Sequence, residues 1–148
     1  MIDLVAAVRP GLALRLVSDG PQEAVVHGGG EVFRLPLGPE AAARQAVLVR
    51  ALPALFPLLP VAVPRPRWVG VMADGTTPFT AERRLPGIPT STVEGMATRQ
   101  WDGVAAALDS VPPGLLREWG VSVAPRPAVV LHDPGRGVLT GLVDWRLG

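Results

Sequence analysis

Four residue types are missing from this chain of 148 residues: cysteine, lysine, asparagine and tyrosine. Without cysteine there is no disulfide, no thiol nucleophile and no zinc–thiolate site. Without lysine or asparagine, any mechanism that needs a side-chain amine or an Asn carboxamide is excluded; all 14 basic residues are arginine. Aromatic residues make up only 5% of the chain, and its 4 tryptophans are spaced too widely to form a stacking platform for bases. Core or interface packing is the expectation for them. The longest apolar tract, "ALPALFPLLPVAVP", is broken by four prolines. It is shorter than the roughly 20 residues that span a bilayer. The opening "MIDLVAAVRPG", with Asp3 and an early Pro10, does not read as a secretory signal. A cytoplasmic protein with no membrane partner is expected. The net charge is +1 and arginine is spread evenly along the chain, so no phosphate-tracking stripe for nucleic acid is expected.

What is present is apolar: 48% of the residues are hydrophobic, which argues against a disordered chain. The length suits one domain, or one lobe of a larger fold. A short helix is predicted over 2–8, stopped by Arg9-Pro10-Gly11. A strand over 12–17 and the turn "SDGPQ" follow. Strands over 24–27 and 31–35 form a hairpin around the glycines at 28–30. "PEAAARQAVLVRALPAL" is the clearest helix. Pro39 suits its first turn and Glu40 the positive end of its dipole, while Ala43, Val47, Leu48, Ala51 and Leu52 make the expected apolar stripe. After a proline-rich connection, "RWVGVM" and "FTAERRL" read as two strands around "ADGTTP", and "PGIPTS" reads as a linker. A second helix is expected near 93–110. The segment 112–127 has no clear pattern. "AVVLH" and "VLTGLVDW" make a last hairpin around "DPGRG". Five strands with one helix inserted after the third predict an antiparallel sheet with a helix packed on it. That is an α+β arrangement rather than alternating βαβ units.

This order, carrying these words, resembles the aminoglycoside and macrolide phosphotransferases, which share the protein-kinase-like fold. "EVFRLPLGPEAAARQAVLVRAL" is similar to that family's third strand and following helix, and "VPRPRWVG" to its approach to the fourth strand. "FTAERRLPGIP" is similar to the fifth strand and inter-lobe hinge, and "VLTGLVDW" to the strand that presents a magnesium-binding Asp. The resemblance implies a kinase-like small lobe over 1–85, a hinge near 83–89, and a reduced helical and hairpin C-terminal part over 86–148. It implies ATP or GTP with Mg²⁺ as cofactors and a small-molecule acceptor as ligand. Gly120 follows Gly87 by 33 positions, and only Trp145-Arg146-Leu147-Gly148 follow Asp144. Most of the family's acceptor-binding lobe is therefore expected to be absent, and a homodimer is expected to cover the apolar face so bared.

Phosphoryl transfer depends mostly on positioning and charge stabilisation, so it needs few groups. The resemblance puts Arg34 at the strand cation that holds the α- and β-phosphates, a role its bidentate charge can fill; a plain exposed strand residue is the alternative. Gln45 falls where the family's helix carboxylate sits and supplies no charge; a solvent-facing helix residue is the alternative. The backbone at Glu82, Arg84 and Leu85 is the stretch that grips the base. Asp144 falls on the metal-binding position. The catalytic loop departs from the family. Its frame, His-Gly-Asp, two residues, Pro, one residue, Asn, falls on Ser122, Val123, Ala124, Pro127 and Val129. The catalytic Asp position thus holds Ala124 and the Asn position Val129. An alternative alignment makes Asp133 the base, but "DPGRG" is ordinary turn chemistry and the turn is the preferred reading. His27 reads as a surface hairpin residue, and "GGG" as a turn without the Lys-Ser/Thr of a phosphate loop.

Overall fold

The computed structural model of the chain describes residues 1–90 and 96–147. The chain folds into two compact units, Met1–Val49 with Arg65–Arg84, and Arg50–Pro64 with Leu85–Gly148. Residues 50–64, which the sequence reading places with the first part, group with the second.

The first unit contains α1 (Ile2–Val8), β1 (Arg15–Asp19), β2 (Glu23–Gly28), β3 (Glu31–Pro36), most of α2 (Pro39–Leu55), β4 (Arg67–Val71) and β5 (Pro78–Arg83). The strands form the expected antiparallel five-stranded sheet, in the order β1-β2-β3-β5-β4. Strand β1 starts later than the alternation "LALRLV" suggests, and all five of its residues are exposed. Pairing fixes the two faces. Ala24 lies opposite Leu35, Val26 opposite Phe33, and Phe33 opposite Ala81. These residues are fully buried together with Phe79 and with Val5 of α1, so the first helix supplies part of the core. Burying one large apolar side chain stabilises by about 1.5–3 kcal/mol. Gly70 leaves room for this core: a Cβ there would lie 2.7 Å from the Phe79 ring. The other face carries Glu23, Val25 and His27 of β2, Val32 and Arg34 of β3, and Thr80 and Glu82 of β5. It is the polar face.

Helix α2 forms where its capping pattern predicts, but its buried stripe is rotated. Ala41, Gln45, Ala51, Leu52 and Leu55 are buried, and Ala43, an expected core position, is exposed. The rotation has a polar cause. Gln45 Nε2 donates to the Arg34 backbone oxygen at 2.8 Å, which turns an amide, rather than an apolar side chain, toward β3.

The second unit has the last turn and a half of α2, a short 3-10 turn (Phe56–Leu58), β6 (Ile88–Thr90), α3 (Met96–Asp109), α4 (Pro113–Trp119), β7 (Arg126–Asp133) and β8 (Val138–Arg146). Its strands form an antiparallel sheet in the order β6-β7-β8. The helix expected near 93–110 runs from Met96 to Asp109, and 93–95 lie outside the described residues, as does Ser91 of the expected linker. Three residues of that linker are a strand, while Pro86 and Gly87 before them are irregular. Ile88, Pro89 and Thr90 pair with His132, Leu131 and Val130 as strand β6. The unpatterned segment 112–127 contains α4, closed by Gly120 at φ 75, the left-handed residue that ends many helices. Leu142 N–H donates to Ala62 O at 3.0 Å, which ties 50–64 to β8. Val104, Leu108, Trp119, Leu131, Leu139, Leu142 and Trp145 are buried. Among the described residues no helix is long and apolar enough to cross a membrane.

Candidate functional site

Arg34 sits mid-strand on the polar face of the first unit, its side chain 17% exposed. Two carboxylates hold it. Nε donates to Glu82 Oε1 at 2.7 Å and Nη1 to Glu23 Oε1 at 2.9 Å. Glu82, on β5, is the more buried partner, with a side-chain exposure of 5% against 26% for Glu23 at the start of β2. Arg34 is therefore not a plain exposed strand residue. Its counter-charge comes from two strands, not from α2. Gln45, at the expected helix-carboxylate position, binds the backbone of Arg34 and is itself buried, contrary to the solvent-facing alternative. Its Oε1 is a buried acceptor with no hydrogen-bond partner.

His27 lies on the same face, one strand over. It is half-buried rather than a surface residue, and its buried Nδ1 has no hydrogen-bond partner. Burial lowers its pKa, and the nearby charges of Arg84, Arg15 and Arg34 lower it further. Of the expected base-gripping backbone, the Arg84 N–H donates to Gly30 O at 2.9 Å and is thereby occupied by the sheet. Leu85 falls in the second unit, where its side chain lies against Gly141; a Cβ on that glycine would come within 2.9 Å of Leu85 Cδ1. A separate network is structural. Glu31 accepts from Arg9 Nε at 2.8 Å and from Arg67 Nη2 at 2.7 Å, joining the end of α1, β3 and β4. The bond from Arg9 is the main reason that the Glu31 pKa is lowered.

In the second unit, Asp133 opens the β7–β8 turn. Its Oδ1 accepts from the backbone N–H of Gly135 at 2.9 Å and of Arg136 at 3.3 Å, and its carbonyl accepts from Gly137 N–H at 2.8 Å. These bonds are the turn chemistry that Asp before Pro-Gly provides. Ala124, buried, precedes β7, and Val129 pairs with Val143. Asp144 lies near the end of β8 with φ 54 and is, among the described residues, the one non-glycine residue in the left-handed region. Asp tolerates that conformation better than most residues, and such outliers cluster at functional sites. The next residue is pinned: Trp145 is buried and its Nε1 donates to Leu142 O at 2.8 Å. Among the described residues no three His, Asp or Glu side chains gather as a metal site. A Mg²⁺ ion on Asp144 would have to complete its shell with phosphate oxygens and water, a coordination that Mg²⁺ commonly adopts.

No family model matches the chain, and no curated protein matches it either. Solved structures do. Macrolide 2'-phosphotransferase MphH from Brachybacterium faecium shares 31% identity at a TM-score of 0.61, over 84% of this chain and 47% of its own. This chain has the fold of the aminoglycoside and macrolide phosphotransferases. The GDP and kanamycin complex of APH(2")-IIia superposes with a TM-score of 0.67 at 20% identity, over 81% of this chain and 44% of its own. A macrolide 2'-phosphotransferase type I matches with a TM-score of 0.64 at 17% identity, over 99% of this chain and 71% of its own. The chain spans less than half the length of the first two of these phosphotransferases. The kinase-like resemblance and the five-stranded small-lobe sheet read from the sequence are both found. Sequence reasoning missed the two carboxylates on Arg34. Their one signal was alternation: Glu23, Val25 and His27 share a strand face, as do Thr80 and Glu82.

Proposed function

We propose that this chain binds ATP or GTP through the polar face of its first unit, and that it transfers the phosphoryl group to a small-molecule acceptor weakly or not at all. The carrying observation is Arg34, fixed mid-strand by the ion pair with buried Glu82, where a guanidinium can meet phosphate oxygens. The GDP complex of APH(2")-IIia supports a guanine nucleotide as ligand, and the ADP-bound APH(2'')-Ib an adenine one. The resemblance implies Glu82 and Leu85 as the backbone contacts to the base and Asp144 as the residue that would hold Mg²⁺. The acceptor would be of the aminoglycoside or macrolide type. The weak-transfer half rests on Ala124 and Val129 at the catalytic Asp and Asn positions. Loss of one preorganised catalytic contact costs about 10² to 10³ in rate, so loss of two leaves little. Asp133 as the base is the alternative within this reading, and its carboxylate is engaged in a turn. A cytoplasmic location goes with nucleotide use.

Calorimetric titration with ATP and GTP, with and without Mg²⁺, tests the proposal. Dissociation constants in the millimolar range or tighter are expected, weakened at least tenfold by Arg34→Ala, with Asp144→Ala removing the Mg²⁺ dependence. Absence of binding at millimolar nucleotide would overturn it. Phosphorylation of an aminoglycoside or macrolide that Asp133→Ala abolishes would show the alternative alignment to be right. A second reading, self-association, is favoured by exposed apolar residues on both edge strands, Leu16 and Val17 on β1 and Trp68 and Val71 on β4.

A further inference from the structure

The two carboxylates on Arg34 are unequal. Glu82 is buried on β5, and an ion pair at that depth is strongly disfavoured if one partner leaves. Glu23 is more exposed and begins β2, immediately after the Gly20-Pro21-Gln22 turn. Glu23 is the less buried of the two partners and reaches solvent when it leaves, so its exchange costs less than that of Glu82. The guanidinium fork accepts carboxylate and phosphate oxygens with the same geometry. Arg34 itself cannot withdraw easily, because Glu82 holds its Nε and Gln45 holds its backbone oxygen.

We infer that Glu23 is an internal stand-in for an anionic ligand. Its carboxylate occupies the Nη1 edge of Arg34 that a phosphate oxygen would take, and it is displaced when a polyphosphate arrives, while Glu82 stays and positions the guanidinium. The surroundings suit an incoming anion once Glu23 has swung out. His27 on the same face feels the charges of Arg84, Arg15 and Arg34. Arg15 and Arg84 are exposed and form no ion pair among the described residues. Behind Arg34, the buried Oε1 of Gln45 is an acceptor with no hydrogen-bond partner. In this arrangement Glu23 lowers the affinity of the site for any phosphate chain. The inference rests on the nucleotide reading for its ligand, a polyphosphate, but is tested separately from it.

The experiment titrates wild type, Glu23→Gln and Glu82→Gln with inorganic tripolyphosphate, with ATP and GTP, and with adenosine and guanosine. Circular dichroism verifies the fold, and Glu23→Ala serves as the second variant. Glu23→Gln is expected to bind tripolyphosphate and the nucleotides about fivefold more tightly, with nucleoside affinity unchanged. Glu82→Gln is expected to act in the opposite direction, weakening the phosphate-bearing ligands. A role in bulk charge alone would make both variants bind more tightly, and that result would overturn the inference. So would a folded Glu23→Gln whose tripolyphosphate affinity is unchanged, whether or not wild type binds nucleotide. If tripolyphosphate binds and responds as expected but neither nucleotide does, the nucleotide reading falls and the inference stands. If no variant binds tripolyphosphate at millimolar concentration, the inference falls.

Discussion

His27 holds a proton less readily in the folded chain than an ordinary histidine does. Burial first, and then Arg84, Arg15 and Arg34, lower its pKa from the ordinary 6.5. The unfolded chain takes up the proton near 6.5 and the folded chain only at lower pH. As pH falls through that window the unfolded state gains a proton that the folded state refuses, so stability decreases and levels off below the folded pKa. Glu31 acts lower on the scale: its folded pKa is depressed below 4.5, so its contribution is present above that value and lost in acid. The melting temperature is expected to fall between about pH 7 and about pH 5 in wild type, and to fall less in His27→Gln. Equal slopes in the two proteins would remove His27 from the account. His27 and Arg34 also show what a sequence conceals at this scale. The position of Arg34 on a strand was legible from the resemblance. Its strongest partner was not, because Glu82 lies 48 residues away and meets it only through the β3–β5 register. Register is set by pairing across the sheet and leaves no local mark.

Strand β6 shows the same at the level of elements. "PGIPTS", with two prolines and a glycine, reads locally as a linker, yet three of its residues form an edge strand. Proline is tolerated there because an edge strand has a side that needs no donor. Contacts from outside the segment hold it. Thr140 Oγ1 donates to Pro86 O at 2.7 Å, and His132 Nδ1 lies 3.0 Å from Ile88 O, where a carbonyl calls for the Nδ1–H tautomer. Gly87 makes the close approach possible: it has φ 110, and a Cβ would lie 2.1 Å from Thr140 Oγ1 and 3.0 Å from His132 O. Gly87→Ala is expected to destabilise the chain by about 2–4 kcal/mol, from backbone strain together with the clash. Thermal melts would show a drop of about 5 °C or more; an unchanged melting temperature would mean that the segment is not held in this way. Elements with strong local punctuation were legible. Helix α2 begins at Pro39 as its capping pattern says, and both hairpins turn where glycine and Asp-Pro-Gly stand. The side α2 buries was not legible, because one hydrogen bond from Gln45 to β3 sets its rotation.

For the whole molecule, both edges of the first unit's sheet carry exposed apolar side chains, and an uncovered edge is a template for pairing. Two-fold pairing is the commonest closed solution. Sedimentation equilibrium at micromolar concentration is expected to show a dimer, with Leu16→Lys or Trp68→Lys shifting it toward monomer. A wild-type monomer over the whole range would exclude self-association.

The chain passes between its two units at 49/50, 64/65 and 84/85. No single cut can therefore release either unit whole. A fragment ending at residue 85, where the resemblance alone would place the boundary, would carry off Leu59, Val61 and Val63, which are buried in the second unit, and would leave β8 without the Ala62 carbonyl that Leu142 binds. Each piece would then expose apolar surface made for the other. The second unit is thus drawn from two separate stretches of chain, and neither stretch can complete its core without the other.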